Sequence, residues 1–348
     1  TLKENLSTRV LVIGGGMTGM SALYHLNRLG VPSILVERNI CGEGVTSKST
    51  AKINYLQDNT IINISNYRSE AIAKRYLKSQ IYATKVLAEI VEKENIPCDF
   101  HRVDSYLFTN AKNGTKKLAE LKELLVEVDA PVYECENIPF QEPFMSAIKV
   151  TDTYVFHPGK YVGSMKQKLK DRIYEHSKVN KIEKVGDKLV ASIGLQTVTC
   201  DYIILASHYP YFLFPYLFPF KAHIETSYLG AKKVNNFEEY TAINIEKPTK
   251  SMRFHSSEDG NYFLYLLNSM TSSDIGDINH NFSSLADTYK FDYMWSNNDV
   301  ITSDYMPLVG PISDDEKLLI ATGYNTWGMT NSTLAGLILA ERICGIEN

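Results

Sequence analysis

Residues 9–38 read RVLVIGGGMTGMSALYHLNRLGVPSILVER, and the order of the parts decides the fold. The apolar run from Val10 to Ile13 has the length and β-branched character of a strand buried on both faces. Gly14, Gly16 and Gly19 follow at G-x-G-x-x-G spacing. Residues 20–29 then place Met20, Leu23, Leu26 and Leu29 on one helical face. Gly30 stops that helix and Pro32 follows it. Residues 31–36 read as a second strand, with Glu37 at its end, 18 residues after Gly19.

Each part has a physical task. Gly14 permits the tight turn out of the strand, Gly16 lets the backbone approach a pyrophosphate, and Gly19 lets the helix pack closely on the sheet. The helix N-terminus offers N–H groups and a positive dipole end to phosphates. Glu37 can accept hydrogen bonds from the hydroxyls of an adenosine ribose. A tight turn with no ligand is the alternative. The strand, the glycines, the helix and the timed acid together point to an adenine dinucleotide, NAD or FAD.

The chain of 348 residues is long enough for one large or two interleaved domains. Hydrophobic residues at 44% and charged residues at 22% are ordinary for a soluble globular enzyme. A formal charge of −4 gives no electrostatic reason to expect nucleic acid or an anionic membrane. No apolar run is long enough to span a bilayer. The N-terminal residues TLKENLSTR lack a signal-peptide core, and a first residue other than Met is what a processed or trimmed start would give. Cys41, Cys98, Cys135, Cys200 and Cys344 are scattered, with no C-x-x-C and no zinc spacing. A reducing cytoplasm with free thiols is the simplest setting.

Further along, residues 46–50 form a hydroxyl-rich loop suited to wrapping a phosphate-bearing ligand, or to capping a helix around Ser49 or Thr50. Residues 62–93 read as one helix, 100–109 as a strand, 112–128 as an amphipathic surface helix and 132–144 as irregular. Residues 148–156 read as a strand. The stretch from His157 to Tyr161 starts a helix running to about His176. Short strands at 179–185, 189–193 and 197–199 surround a turn at Gly186-Asp187. Residues 202–206 read as a buried parallel strand ending in Ser207-His208-Tyr209-Pro210, a cofactor candidate because ligands sit at the carboxyl ends of such strands. Residues 211–220 look like a crossover to a second domain. Strands at 222–233, 240–245, 251–255 and 262–267 then suggest an antiparallel sheet. A last strand at 318–321 runs into a helix at 331–343 that stops near Gly345. This second strand–glycine–helix junction tips the choice to FAD, because a helix N-terminus stabilises the negative charge at the N1–C2=O end of a reduced flavin.

The chain resembles the D-amino-acid-oxidase-like FAD-dependent oxidoreductases, the group with glycine oxidase and sarcosine oxidase. It is most similar to bacterial members that often carry a C-terminal Rieske domain. The matching pieces are VIGGGMTG with Glu37, TSKSTAK, FHPGKY, the ASHYP strand tip, and DYMPLVGP…ATGYNTWGMTNSTLAG. The resemblance implies a mixed α/β, bilobed fold. A discontinuous Rossmann-like FAD-binding domain (1–80, 150–210 and 298–348) would be interleaved with an antiparallel-sheet substrate domain (81–149 and 211–297). It implies non-covalent FAD held at the pyrophosphate by Gly14, Gly16, Met17, Thr18 and Gly19, and at the adenosine by Glu37, Arg38 and Val179. Thr46, Ser47, Ser49, Thr50, Ala51 and Lys52 would follow the ribityl chain and ring. Ser207, His208, Gly323, Thr326, Trp327, Gly328, Met329 and Thr330 would lie by the strand tip and the pyrimidine end. No lysine occupies residues 262–267, where sarcosine-oxidase-type members have one near the flavin. No cysteine for covalent attachment lies near Tyr305-Met306-Pro307. Nor is there a Rieske ligand set of paired Cys and His. The sequence stops at 345–348, near where such a domain begins in its relatives, so this member lacks it or the domain lies outside this sequence.

The resemblance implies oxidation of the C–N bond of a small amine or amino acid by hydride transfer to flavin N5, with electrons passing to oxygen or an iron–sulfur acceptor. Arg253 is the candidate carboxylate clamp, since a guanidinium pairs bidentately with carboxylate; a surface strand arginine is the alternative. His255, two residues on along a strand, is the candidate proton acceptor; a structural histidine is the alternative. Capping and packing suit His157 and Lys160. A non-enzymatic flavoprotein and an NAD(P)-linked dehydrogenase are the competing readings.

Overall fold

Every residue of the strand Val10–Ile13 is buried, as its composition requires, and it lies inside a sheet rather than at an edge. The computed structural model describes residues 1–140, 142–209, 221–236, 238–268, 283, 286–312 and 316–346. The first elements are β1 (Leu6–Ser7), β2 (Val10–Ile13), α1 (Met17–Arg28), β3 (Ser33–Val36), β4 (Lys52–Ile53), α2 (Thr60–Tyr67) and α3 (Glu70–Lys93). Then come β5 (His101–Thr109), α4 (Lys112–Glu127), β6 (Val132–Glu134), β7 (Ser146–Val155), α5 (Pro158–Lys168), β8 (Ile173–Tyr174), β9 (Val179–Val185), β10 (Lys188–Ile193), β11 (Gln196–Cys200) and β12 (Tyr202–Leu205). The remainder comprises β13 (Ala222–Val234), β14 (Tyr240–Asn244), β15 (Lys250–Ser257), β16 (Gly260–Asn268), β17 (Tyr293–Thr302), β18 (Leu308–Pro311), β19 (Leu318–Thr322) and α6 (Gly328–Cys344). The expected crossover at 211–220 lies outside the described residues.

A six-stranded sheet has the order β18-β19-β12-β2-β3-β8. From β19 to β8 every pairing is parallel, and only the edge strand β18 is antiparallel. The first, middle and last thirds of the chain therefore meet in one sheet. Three hundred residues apart in sequence, β2 and β19 are separated in space only by β12. The helices that follow them, α1 and α6, pack against each other and share a core with the sheet: Met20, Leu23 and Leu26 of α1 meet Val10, Val12 and Leu35 on one side and Leu339 and Ile343 on the other. Each fully buried Leu there contributes about 1.5–3 kcal/mol. Leu29, expected on the same face, is the C-cap and stands exposed.

A nine-stranded sheet, with main order β17-β13-β16-β15-β14-β5-β7-β4, forms the other half. It is not purely antiparallel as expected, because β14 pairs in parallel with β5. That pairing joins segments more than 130 residues apart, and no local pattern encodes it. A four-stranded sheet, β1-β11-β10-β9, caps the parallel sheet.

Other differences have local causes. Residues 62–93 are not one helix. The chain breaks at Arg68, and Ser69 opens α3 by accepting a hydrogen bond from Ile72 N. The helix after His157 ends at Lys168, and Ile173–Tyr174 becomes an edge strand of the parallel sheet. His157 caps α5 through Nδ1, which accepts from Lys160 N at 3.2 Å. The last helix begins at Gly328, three residues early, and ends as expected at Gly345 in the left-handed conformation. No helix among the described residues is long and apolar enough to cross a membrane. All five cysteines are free, and burial raises Cys41, Cys98 and Cys200 to about 12.

The crossing of α1 and α6 is close because Gly336 has no side chain. A Cβ there would stand 2.4 Å from Ser21 Oγ and 2.5 Å from the backbone nitrogen of Ala22. Backbone cannot yield as a flexible side chain can, so Gly336→Val should destabilise the protein by about 1–3 kcal/mol. A denaturant titration checks this, and an unchanged midpoint would refute the account of the crossing.

Candidate cofactor cavity and reaction chamber

A cavity of about 720 Å³ runs along the carboxyl ends of β3, β2, β12 and β19. This is the edge of an open parallel sheet where ligands sit, and the volume lies within the roughly 300–1,000 Å³ of cofactor sites. One pole is lined by Glu37, Arg38 and Val179, the middle by Gly14, Gly16, Met17, Thr18 and Thr46 with Ser207 and His208 beside them, and the other pole by Gly323, Thr326, Gly328 and Met329.

The glycines make room for the cavity and for the packing beneath it. Gly14 has φ +113°, and a Cβ would meet Ala206 O at 2.5 Å. At Gly19 a Cβ would meet Gly14 O at 1.9 Å, so this glycine serves the helix–strand contact rather than the cavity. Gly16 faces the cavity, and its nearest contact for a Cβ is Thr46 Oγ1 at 3.0 Å. The Glu37 carboxylate accepts from Gly15 N at 2.7 Å and from Asn39 N at 2.8 Å. Of its roughly four acceptor positions two are used, which leaves capacity for ribose hydroxyls.

At the far pole the backbone is strained and locked. Asn325 (φ 52°) and Thr326 (φ 72°) both sit in the left-handed region, where a β-branched residue is rare. Asn325 Oδ1 accepts from Thr302 N and Oγ1, and its Nδ2 donates to Tyr305 O and Gly323 O. These four bonds hold the turn that aims the start of α6 at the cavity. Thr18 Oγ1 lies 3.0 Å from Tyr324 OH and donates to Ser332 Oγ at 3.1 Å, which ties the starts of α1 and α6 together.

The residues fit FAD. Two helix N-termini, at Gly16 and Gly328, border one elongated cavity. Ser207 and His208 line it, and Ser207 Oγ and His208 Nε2 are buried at its wall without a hydrogen-bond partner, as buried polar atoms beside a polar ligand site can be. Burial holds the His208 imidazole below its usual range, so it favours the neutral form.

A second, smaller chamber of about 50 Å³ opens beside the far pole. Lys48, Asp299, Thr326 and Met329 line both spaces. It has room for roughly three or four water-sized groups. Its walls include Ser49, Thr50, Lys52, Asp58, Ser251 and Trp327. Burial pulls Lys52 down to about 7 and pushes Asp299 up to about 6. Burial also raises Asp58, whose carboxylate accepts from Thr60 N and Oγ1 at 3.1 Å.

The expected catalytic residues lie elsewhere. Arg253 is 2% exposed and lines neither space. Its Nη1 donates to the carbonyls of Thr50 and Ala51, its Nε donates to Phe254 O, and its Nη2 faces His255 Nδ1. With its donors committed to the 50–51 backbone, it cannot clamp a substrate carboxylate; it anchors the loop that carries Lys52. His255 is likewise turned away, with Nε2 3.6 Å from Asp99 and its ring against His157. Burial, with Arg253 and His157 nearby, lowers it to about 4, a poor base at neutral pH.

Among the other expected contacts, Ser47 bonds back to Gly44 O, Ala51 is fully buried, and Thr330 Oγ1 pairs with Asn54; none lines either space. Asp58, Asp299 and Asn297 border the two spaces and were not expected there. Asp299 and Asn297 alternate along β17, a strand whose inward face the sequence pattern left unassigned. No group of three His, Cys, Asp or Glu among the described residues is arranged to hold a metal ion.

Residues 9–342 match the sequence model of the family described as FAD dependent oxidoreductase. The chain is 25% identical to a protein of Bacillus subtilis (strain 168) named putative Rieske 2Fe-2S iron-sulfur protein YhfW, over 100% of this chain and 70% of that one. It is 23% identical to gamma-glutamylputrescine oxidoreductase of Escherichia coli (strain K12), over 99% of this chain and 85% of that one. The fold is similar to that of glycine oxidase from Geobacillus kaustophilus, with TM-score 0.79, 14% identity, and coverage of 99% of this chain and 96% of that one.

Gly16→Val would place a branched side chain where the cavity meets the start of α1, at a φ of −83° that valine tolerates. The variant should fold yet bind FAD at least about tenfold more weakly, a loss of about 1.4 kcal/mol or more. Flavin absorbance per mole of purified protein checks this, and full retention would contradict the pyrophosphate assignment.

Proposed function

Since the chain belongs to the FAD-dependent oxidoreductase family, we propose that it oxidises the C–N bond of a small amine or amino acid. The observation that carries this reading is the small chamber, which opens where the start of α6 borders the cofactor cavity. When bound, FAD supplies the two-electron acceptor. The diphosphate would lie at Gly14, Gly16 and Thr18, the adenosine at Glu37 and Val179, and the ring at the Gly328–Met329 end.

The chamber suits a cationic head group. Asp58 and Asp299 bring two carboxyl groups to its wall, and Trp327 brings an indole face. Apolar neighbours, Leu229, Ile243 and Leu266, exclude water and strengthen these electrostatic contacts. The relatives named gamma-glutamylputrescine oxidoreductase and glycine oxidase support the same class of substrate. With Arg253 committed to backbone, a substrate carboxylate would meet Lys48, which is exposed at the junction of the two spaces.

The electrons would pass to oxygen or to an iron–sulfur partner; the relative named for a Rieske cluster supports the second route. Five free thiols suit a reducing, cytoplasmic setting.

Anaerobic mixing of the yellow protein with a panel of amines and amino acids tests the reading. A subset, small at the nitrogen end, should bleach the flavin. Bleaching by NAD(P)H alone, or by no amine, would contradict it.

A further inference from the structure

Lys52 occupies an unusual place for a lysine. It stands on the two-residue strand β4 and is 8% exposed. Its Nζ lies 5.7 Å from the centre of the Trp327 ring, and it donates a hydrogen bond to Ser251 Oγ. That partner is a hydroxyl rather than a carboxylate. The loop leading into β4 is fixed from behind by the guanidinium of Arg253, which bonds the carbonyls of Thr50 and Ala51. The amine is thus carried to the chamber wall by a rigid segment, not by a swinging surface side chain.

An amine substrate brings a chemical requirement to this chamber. An alkylammonium has no nitrogen lone pair, and without one its carbon cannot release a hydride as the C=N bond forms. An amine with an aqueous pKa of about 10 is neutral in only about one molecule in 10³ at pH 7. Some group must take the extra proton.

We propose that Lys52 takes the proton that a substrate ammonium must lose in this chamber before its carbon can give up a hydride. The inference rests on the amine reading above. The ammonium N–H bond breaks, its electron pair stays on the substrate nitrogen, and a new N–H bond forms at Nζ. No electron changes hands in this step; the oxidant for the next is the flavin of the family activity.

The charged surroundings suit the role. Burial and the neighbouring Arg253 disfavour a charge on Nζ, while Asp58 favours one; Lys48 and Asp299 line the same chamber. The balance brings Lys52 to about 7, close to where a general base works best at neutral pH. The same desolvation lowers any ammonium that enters, so donor and acceptor are drawn toward one range. The two carboxyl groups are engaged, Asp58 by Thr60 and Asp299 by Ser227 at 3.3 Å, and are better placed to hold the cation than to accept its proton.

Two measurements on the flavin-loaded protein test the proposal. The chain has two tryptophans, so Trp295→Phe leaves Trp327 as the sole indole, beside Lys52. Its emission should change with pH about a midpoint near 7, and Lys52→Met in that background should remove the transition. Lys52→Arg, which keeps the charge and the stem but does not deprotonate, should remove it as well and guards against a Met variant that fails to fold. A midpoint above about 9, or a transition that survives both substitutions, would overturn the proposal.

The second measurement is the anaerobic rate of flavin reduction by an amine found in the screen. Lys52→Met should lower it by about 10²–10³-fold near pH 7, and the deficit should shrink as pH rises toward the substrate's own pKa. A deficit that is the same at every pH would mark Lys52 as merely structural. If the transition appears and no amine reduces the flavin, the functional reading falls and takes the proton donor with it. If amines reduce the flavin and the transition is absent, the assignment of Lys52 alone falls.

Discussion

The close crossing of the first and last helices is the constraint on which the site depends. Gly336 lets α6 approach the backbone of α1, and Ser21 Oγ seals the contact by donating to Thr333 O at 2.9 Å. Nearer the cavity, the hydroxyls of Thr18, Tyr324 and Ser332 join the two helix starts. Two positive helix ends therefore border one groove. A dinucleotide that carries a diphosphate and a reducible ring can present negative charge to both.

Buried charge is used for two different purposes in this protein. Arg253 has no aqueous outlet and spends its donors on carbonyls and the His255 ring, so it acts as a rivet between the nine-stranded sheet and the loop at 50–51. Lys52, the residue that follows that loop, is buried with a single hydroxyl partner and faces a chamber. The rivet makes the second placement possible, because a lysine held at a cost in desolvation needs a backbone that does not move away. The left-handed Asn325 and Thr326 are a comparable case: strain is tolerated where Asn325 makes four hydrogen bonds to hold the turn.

The legible part of the sequence was local. A strand, three glycines, a helix and an acid in 30 residues specify the nucleotide end without knowledge of anything distant, and 14 of the expected contacts line the cavity. The break at Ser69 was also readable, since a serine three residues before Ile72 is an N-cap signal, but the strong apolar periodicity on both sides masked it. The strand β8 was hidden by its length of two residues. The smaller chamber was not legible. Alternation along β15 puts Arg253 and His255 on one face, but nothing nearby says which face meets the chamber. Lys52 reads as one more polar residue in a loop until the distant strands carrying Ser251 and Asp299 close over it.

A crystal structure of the flavin-loaded protein tests the central claim most directly. One extended FAD is expected, with its diphosphate against Gly14–Thr18 and its ring at the start of α6, facing the mouth lined by Lys48, Asp299, Thr326 and Met329. A ring found at the Glu37 and Val179 pole, or a nucleotide bound without contact to the start of α6, would contradict it.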